Sequence, residues 1–283
     1  MIKKIVAAHA MISLIIFATP LLAAPPVFVA ATVKPSGETV VIPERAAQVA
    51  PNVFDLGVAT DPATGEQVEG RLIVHRRAND VKGGSVSGGA KNQCYGFIAR
   101  GTKWRVVEPW IANAANIRGL GDVFIKGTLS DGIAKWEDAA DGISGNGIGV
   151  NILGDGATTT VALSADTAAP DGTNEVYFAD IRNSDGSESN AIAITIVWYN
   201  RFTKSFVEWD QVYDDVSYDW SATGGAGKMD FDNIATHELG HSIGLADLYN
   251  SCTEETMYGY ASYGETKKRS LNAGDIAGTN ALY

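Results

Sequence analysis

Positive charge is scarce in this 283-residue chain: 22 Lys and Arg stand against 33 Asp and Glu, for a formal net charge of -11. Nucleic acid and anionic membrane surfaces reward clustered Lys and Arg, so neither is an expected partner. Long apolar runs are also missing after the first 31 residues, which excludes a membrane span in the rest of the chain. Histidine and cysteine are rarer still, with four His and two Cys. What is abundant is ordinary: hydrophobic residues make up 45% and charged residues 19%, the composition of a soluble globular protein rather than a disordered one. Acidity here serves solubility and says little about substrate. No internal repeat is present.

The chain opens as an export signal. Lys3 and Lys4 precede "IVAAHAMISLIIFATPLLAA", and small residues follow at Ala23, Ala24, Ala30 and Ala31, so residues 1–31 read as a signal peptide, with a retained anchor as the alternative. An exported chain matures in an oxidising compartment, where Cys94 and Cys252 are most simply one disulfide. Two other readings stay open: Cys94 as a thiolate capping a metal in a latent precursor, and two free, buried thiols. Residues 32–93 read as a propeptide or a small accessory β-hairpin. Two strand-like runs between Val53 and Arg76 flank the turn "DPATG", and the Gly- and Ser-rich "RRANDVKGGSVSGGAKNQ" follows as a linker.

Residues 94–283 carry denser signals. Strands are expected over Trp104–Ala112, Gly147–Leu153 and Glu175–Ile181, and a helix is expected from the spacing of Ile125, Leu129, Ile133, Trp136 and Ala140. "AIAITIVWYNRFTKSFVEWDQVYDD" reads as two strands joined around Asn200 to Lys204. A second helix follows in "FDNIATHELGHSIGL", with Asp230 or Asp232 as its cap and Gly244 placed to end it. Strands mixed with helices in this order argue an α+β domain around one sheet.

Two of the four histidines sit one turn apart on that second helix, in "HELGHSIGLAD" (His237 to Asp247). Residues four apart face the same way, so one zinc ion can take both imidazoles at about 2.0 to 2.1 Å. Glu238 then lies close enough to touch metal-held water without ligating, and Gly244 lets the chain reverse so that Asp247 returns as a third ligand. His9 lies in the export segment and His75 before the linker, so no third histidine follows His241.

"HELGHSIGLAD" resembles the metzincin zinc-peptidase signature, in the snapalysin-like variant where aspartate replaces the third histidine. "ETMYGY" is similar to the methionine turn of that clan, "LNAGDIAGTNALY" to the C-terminal helix of matrixins, and the two preceding β-runs to matrixin strands four and five. The resemblance covers about Trp104 to Tyr283 and does not reach the region before Cys94. It implies a twisted, mostly parallel sheet with an antiparallel edge strand, a backing helix, an active-site helix and a C-terminal helix. It also implies Met257 as an apolar floor beneath the zinc, and Tyr258 in the wall of the pocket for the side chain after the cleaved bond. Ala191 to Tyr199 would be the edge strand on which an extended peptide adds.

Two departures from the matrixin pattern matter. No histidine lies between His75 and His237, so one catalytic zinc is expected rather than two. "NQCYGF" does not resemble the latency cysteine. The acidic loop Asp180 to Asn190 has the carboxylates and carbonyls that calcium takes. The resulting expectation is a secreted, monomeric zinc endopeptidase acting on polypeptides, with Glu238 as general base. Its rivals are a catalytically silent, zinc-stabilised extracellular binding protein and a surface protein that carries the motif by accident.

Overall fold

β-Branched and aromatic runs pair into strands where turn residues flank them, and the computed structural model describes residues 39–78 and 93–283, all within one unit. The signal segment and most of the linker lie outside the described residues. The first strands are β1 (Thr39–Ile42), β2 (Ala47–Ala50), β3 (Val53–Thr60) and β4 (Gln67–Arg77). Then come β5 (Trp110–Asn113), α1 (Asp122–Asp138), β6 (Gly156–Thr158), β7 (Asn174–Asn183), β8 (Ala191–Asn200) and β9 (Ser205–Asp214). The chain ends with β10 (Trp220–Ser221), β11 (Met229–Asp230), α2 (Phe231–Ser242), β12 (Tyr260–Ala261) and α3 (Ala273–Leu282).

Five strands form the frame of the expected fold, in the order β8-β9-β7-β5-β6. β5, β6, β7 and β9 run parallel and β8 antiparallel. Helices α1 and α2 cover one face, where Leu129, Ile133 and Trp136 meet Ile234, Leu239 and Tyr213. This is an α+β, metzincin-like arrangement.

Two expected strands fall short. Pro109 has no amide to donate, and Val106 stands 64% exposed, so the run from Trp104 becomes a strand only at Trp110. Gly147–Leu153 joins no sheet. Its backbone is satisfied by carboxylates at the end of α1 instead: Gly147 N donates to Asp138 (2.7 Å), and Ile152 N and Leu153 N donate to Glu137 (2.6 and 3.0 Å).

The larger difference is at β8, which has no free outer side. β4 pairs with it antiparallel from Glu69 opposite Tyr199 to Arg76 opposite Ala191, and β3 and β2 continue the sheet beyond. The β3–β4 hairpin turns at Asp61, whose carboxylate accepts from Ala63 N (2.8 Å) and the Thr64 hydroxyl (2.6 Å). The physical reason for the pairing is the apolar run Leu72, Ile73, Val74, which can bury both faces only inside a sheet. Leu72 and Val74 join Ile194, Ile196 and Trp198 in a second core on the face away from the helices. β12 pairs parallel with the end of β4, Tyr260 opposite Arg76.

Candidate functional site

Helix α2 starts where Asp230 accepts from Asn233 N (3.0 Å), so of the two candidate caps Asp230 serves. Its last carbonyls also find donors: Ser242 O receives Trp104 Nε1 (2.7 Å) and Ile243 O receives the Tyr283 hydroxyl (2.8 Å). Gly244 then takes φ 109° and turns the chain back. Gly240 faces Met257 and Trp136 so closely that any Cβ there would overlap both, which brings the sulfur of Met257 against the helix between the two histidines.

The structure brings His237, His241 and Asp247 together. Asp247 Oδ1 lies 3.2 Å from His237 Nε2 and 3.5 Å from His241 Nε2. Each imidazole spends its other nitrogen on a carbonyl, His237 Nδ1 on Thr256 O (2.6 Å) and His241 Nδ1 on Leu245 O (2.8 Å). That fixes the proton on Nδ1 and leaves the Nε2 lone pair facing inward. All three inward atoms are buried without a hydrogen-bond partner. Two imidazole nitrogens and a carboxylate oxygen converging in this way are the donor set that zinc takes. Burial, and next Lys268, push His237 down to about 3. Burial opposes the ionised Asp247, but His241 and His237 outweigh it and hold the carboxyl well below its usual range.

Glu238 is fully buried beside them. The Thr195 hydroxyl, on β8, donates to Oε2 (2.6 Å), and His75 Nδ1, on β4, lies 2.9 Å from Oε1. Burial raises the Glu238 carboxyl to about 7. Lys268 is also buried. Its ammonium donates to the Tyr258 carbonyl and lies 3.3 Å from His75 Nε2, which makes Nε2 of His75 an acceptor and Nδ1–H the donor to Glu238. The His75 and His237 rings lie 3.9 Å apart between centroids.

Asp275 supports the turn that carries Met257: its carboxylate accepts from Thr256 N (2.7 Å) and Met257 N (3.1 Å) and caps α3 through Asn272 N (2.8 Å). Met257 is 1% exposed. Tyr258 lies half-buried, with Lys267 and Lys268 over its ring. Cys94 and Cys252 form a disulfide with Cα atoms 5.6 Å apart. In the acidic loop 180–190, Asp180 binds Arg182 and Asp185 binds Ser187. A closer group of carboxylates lies elsewhere, at Asp166, Asp171 and Glu208.

Sequence reading passed over His75, Thr195, Lys268 and Asp275. Thr195 and His75 belong to strands whose pairing sets which face each residue takes, and a single sequence does not disclose that register. "NAGD" ahead of the last helix is a capping signal for Asp275.

The model of the matrixin family matches residues 171–283. No curated protein matches the chain.

Proposed function

We propose, from the match of residues 171–283 to the matrixin family, that the protein is an exported zinc endopeptidase acting on polypeptides, whose zinc is held by His237, His241 and Asp247. The reading is carried by the three buried, unpartnered atoms that converge beside Glu238. Zinc at that position supplies a Lewis acid for the scissile carbonyl and lowers the pKa of water. Thr195 fixes Oε2 of Glu238, so Oε1 is the oxygen that takes the proton of the attacking water and later delivers it to the leaving amine. In this reading Met257, 1% exposed, is the apolar floor and Tyr258 belongs to the pocket wall. An extended substrate would pair with β8 through its backbone only where β4 gives up that edge. Export rests on the signal-like segment 1–31, and the Cys94–Cys252 disulfide agrees with an oxidising compartment. Among the described residues, no helix is long and apolar enough to cross a membrane.

The test is a digest of a denatured protein, with product masses read by mass spectrometry. It compares the zinc-loaded protein, intact and after limited proteolysis, with Glu238→Gln treated identically. Cleavage that depends on Glu238 and on zinc is expected. Zinc binding with no cleavage by any form would favour the silent binding protein.

A further inference from the structure

β4 lies where a substrate would lie. It pairs antiparallel along β8 from Glu69 to Arg76, and its last two residues run parallel to β12, three residues past Met257. A segment held between these two strands takes up the backbone groups that would otherwise receive a peptide. The register settles which side chain faces the site. Ile73 stands opposite Thr195 and His75 opposite Ala193, so both point to the helix side with Thr195, while Leu72 and Val74 anchor the opposite face. His75 therefore arrives on Oε1 of Glu238 (2.9 Å), the oxygen that Thr195 leaves free, and Lys268 holds the far side of its ring (3.3 Å). A second line of contacts ties the same segment to the candidate metal ligand: Arg76 Nε donates to Asn52 (3.2 Å), Asn52 to the Tyr249 hydroxyl (2.8 Å), and Tyr249 to Asp247 Oδ2 (2.9 Å).

We infer that β4 is an in-chain occupant of the substrate channel, with His75 seated on the general base, so that the chain is latent until β4 is withdrawn. The inference rests on the peptidase reading. The latch differs from a thiolate on the metal: Cys94, the cysteine that could have capped it, is bonded to Cys252. The block is a strand and an imidazole. Val74 and Leu72 supply the hold, since both are wholly buried in the second core.

The probe is a fluorescent peptide hydroxamate, which binds a zinc site without turnover. With the intact zinc-loaded chain, uptake is expected to level off as probe concentration rises, because opening of β4 limits it. Val74→Asp, which weakens the hold, should raise that ceiling at least tenfold. After immobilised trypsin has removed the residues up to Arg77, as checked by intact mass, uptake should be direct, and cleavage of a denatured protein should rise at least tenfold. Uptake by the intact chain that climbs linearly with probe and is unchanged in Val74→Asp would overturn the latch. So would an intact chain that cleaves protein as fast as the trimmed one, which would leave the peptidase reading standing. Gated uptake with no cleavage by either form keeps the latch and removes the peptidase. Should the trimmed chain unfold, the uptake kinetics of the intact chain decide alone.

Discussion

The carbonyl oxygen of Thr256 lies 2.6 Å from Nδ1 of His237, and the amide of the same residue donates to Asp275 at 2.7 Å. One residue, Thr256, thus links the capping residue of the last helix to the orientation of an imidazole on α2. Fixing Nδ1 as the protonated nitrogen makes Nε2 a permanent acceptor, the form in which histidine binds a metal. The Met257 turn is in this sense tied to the proposed metal site through its backbone as well as through its apolar side chain.

Asp275→Ala should therefore weaken zinc binding, by about 10- to 100-fold if it behaves as other outer partners of metal ligands do. Asp275→Asn, which keeps acceptor oxygen on one side, should fall between. Competition against a chelator of known affinity measures both. Unchanged zinc affinity in a folded Asp275→Ala protein would detach the last helix from the site.

Glu238 and Asp247 are both acidic and both buried, yet their assigned roles differ. Glu238→Gln should keep its zinc and lose turnover by about two to four powers of ten. Asp247→Ala should lose zinc affinity, since it removes one of three donors. Elemental analysis and initial rates on trimmed protein separate the two. Zinc lost with Glu238→Gln and retained with Asp247→Ala would reverse the assignment.

Thr195 offers a finer test on the trimmed form. Its hydroxyl holds Oε2 of Glu238 at 2.6 Å, and Thr195→Val keeps the branched shape inside β8 while removing the donor. A hydrogen bond to a charged group contributes about 1.5–3 kcal/mol. The expected result is kcat lower by about ten- to a hundredfold with KM little changed, and partial rescue in Thr195→Ser. Equal loss in Thr195→Ser would mean that packing, not the hydrogen bond, is at stake.

Local spacing made half of this site legible. His237, Glu238, His241 and Gly244 can be placed because a helix repeats every 3.6 residues and a glycine at positive φ ends it, and the hairpin around Asp61 can be placed because turn chemistry is local. His75 meets Glu238 across 163 residues of sequence and Thr195 meets it across 43. Those contacts follow from sheet register, which depends on how the apolar faces of β4 and β8 cover each other. The run Gly147–Leu153 failed for the opposite reason: its alternation suggests a strand, but the Asp138 and Glu137 carboxylates bind its amides.

The disulfide closes a separation of 158 residues, from Cys94 to Cys252 ahead of Met257. Replacing both cysteines by serine should lower unfolding free energy by about 2–5 kcal/mol, read from urea transitions. Thiol titration of denatured, unreduced protein should find no free sulfhydryl. Two titratable thiols would contradict the bond.

Far from the site, Glu208 predicts how stability depends on pH. Its Oε2 accepts from Gly172 N (2.5 Å), and Oε1 is buried without a hydrogen-bond donor close to Asp166 and Asp171. Burial, and next the neighbouring Asp210, push its carboxyl up to about 10, and burial likewise raises Asp210 well above its ordinary range. A carboxyl raised by folding is protonated in the native state at a pH where the unfolded chain has already ionised. Its stabilisation is complete below the unfolded value, near 4.5, and is lost progressively as pH climbs toward the folded one. The native protein should therefore lose roughly 2 kcal/mol or more relative to Glu208→Gln between pH 5 and pH 9, because the amide keeps the shape and cannot ionise. Urea midpoints of the two proteins at pH 5, 7 and 9 in calcium-free buffer give this difference directly. A difference that stays flat would place Glu208 in solvent contact or in an ionised pair. A difference that shrinks only when millimolar calcium is added would mean that the carboxylates of Asp166, Asp171 and Glu208 ionise around a cation instead of sharing protons.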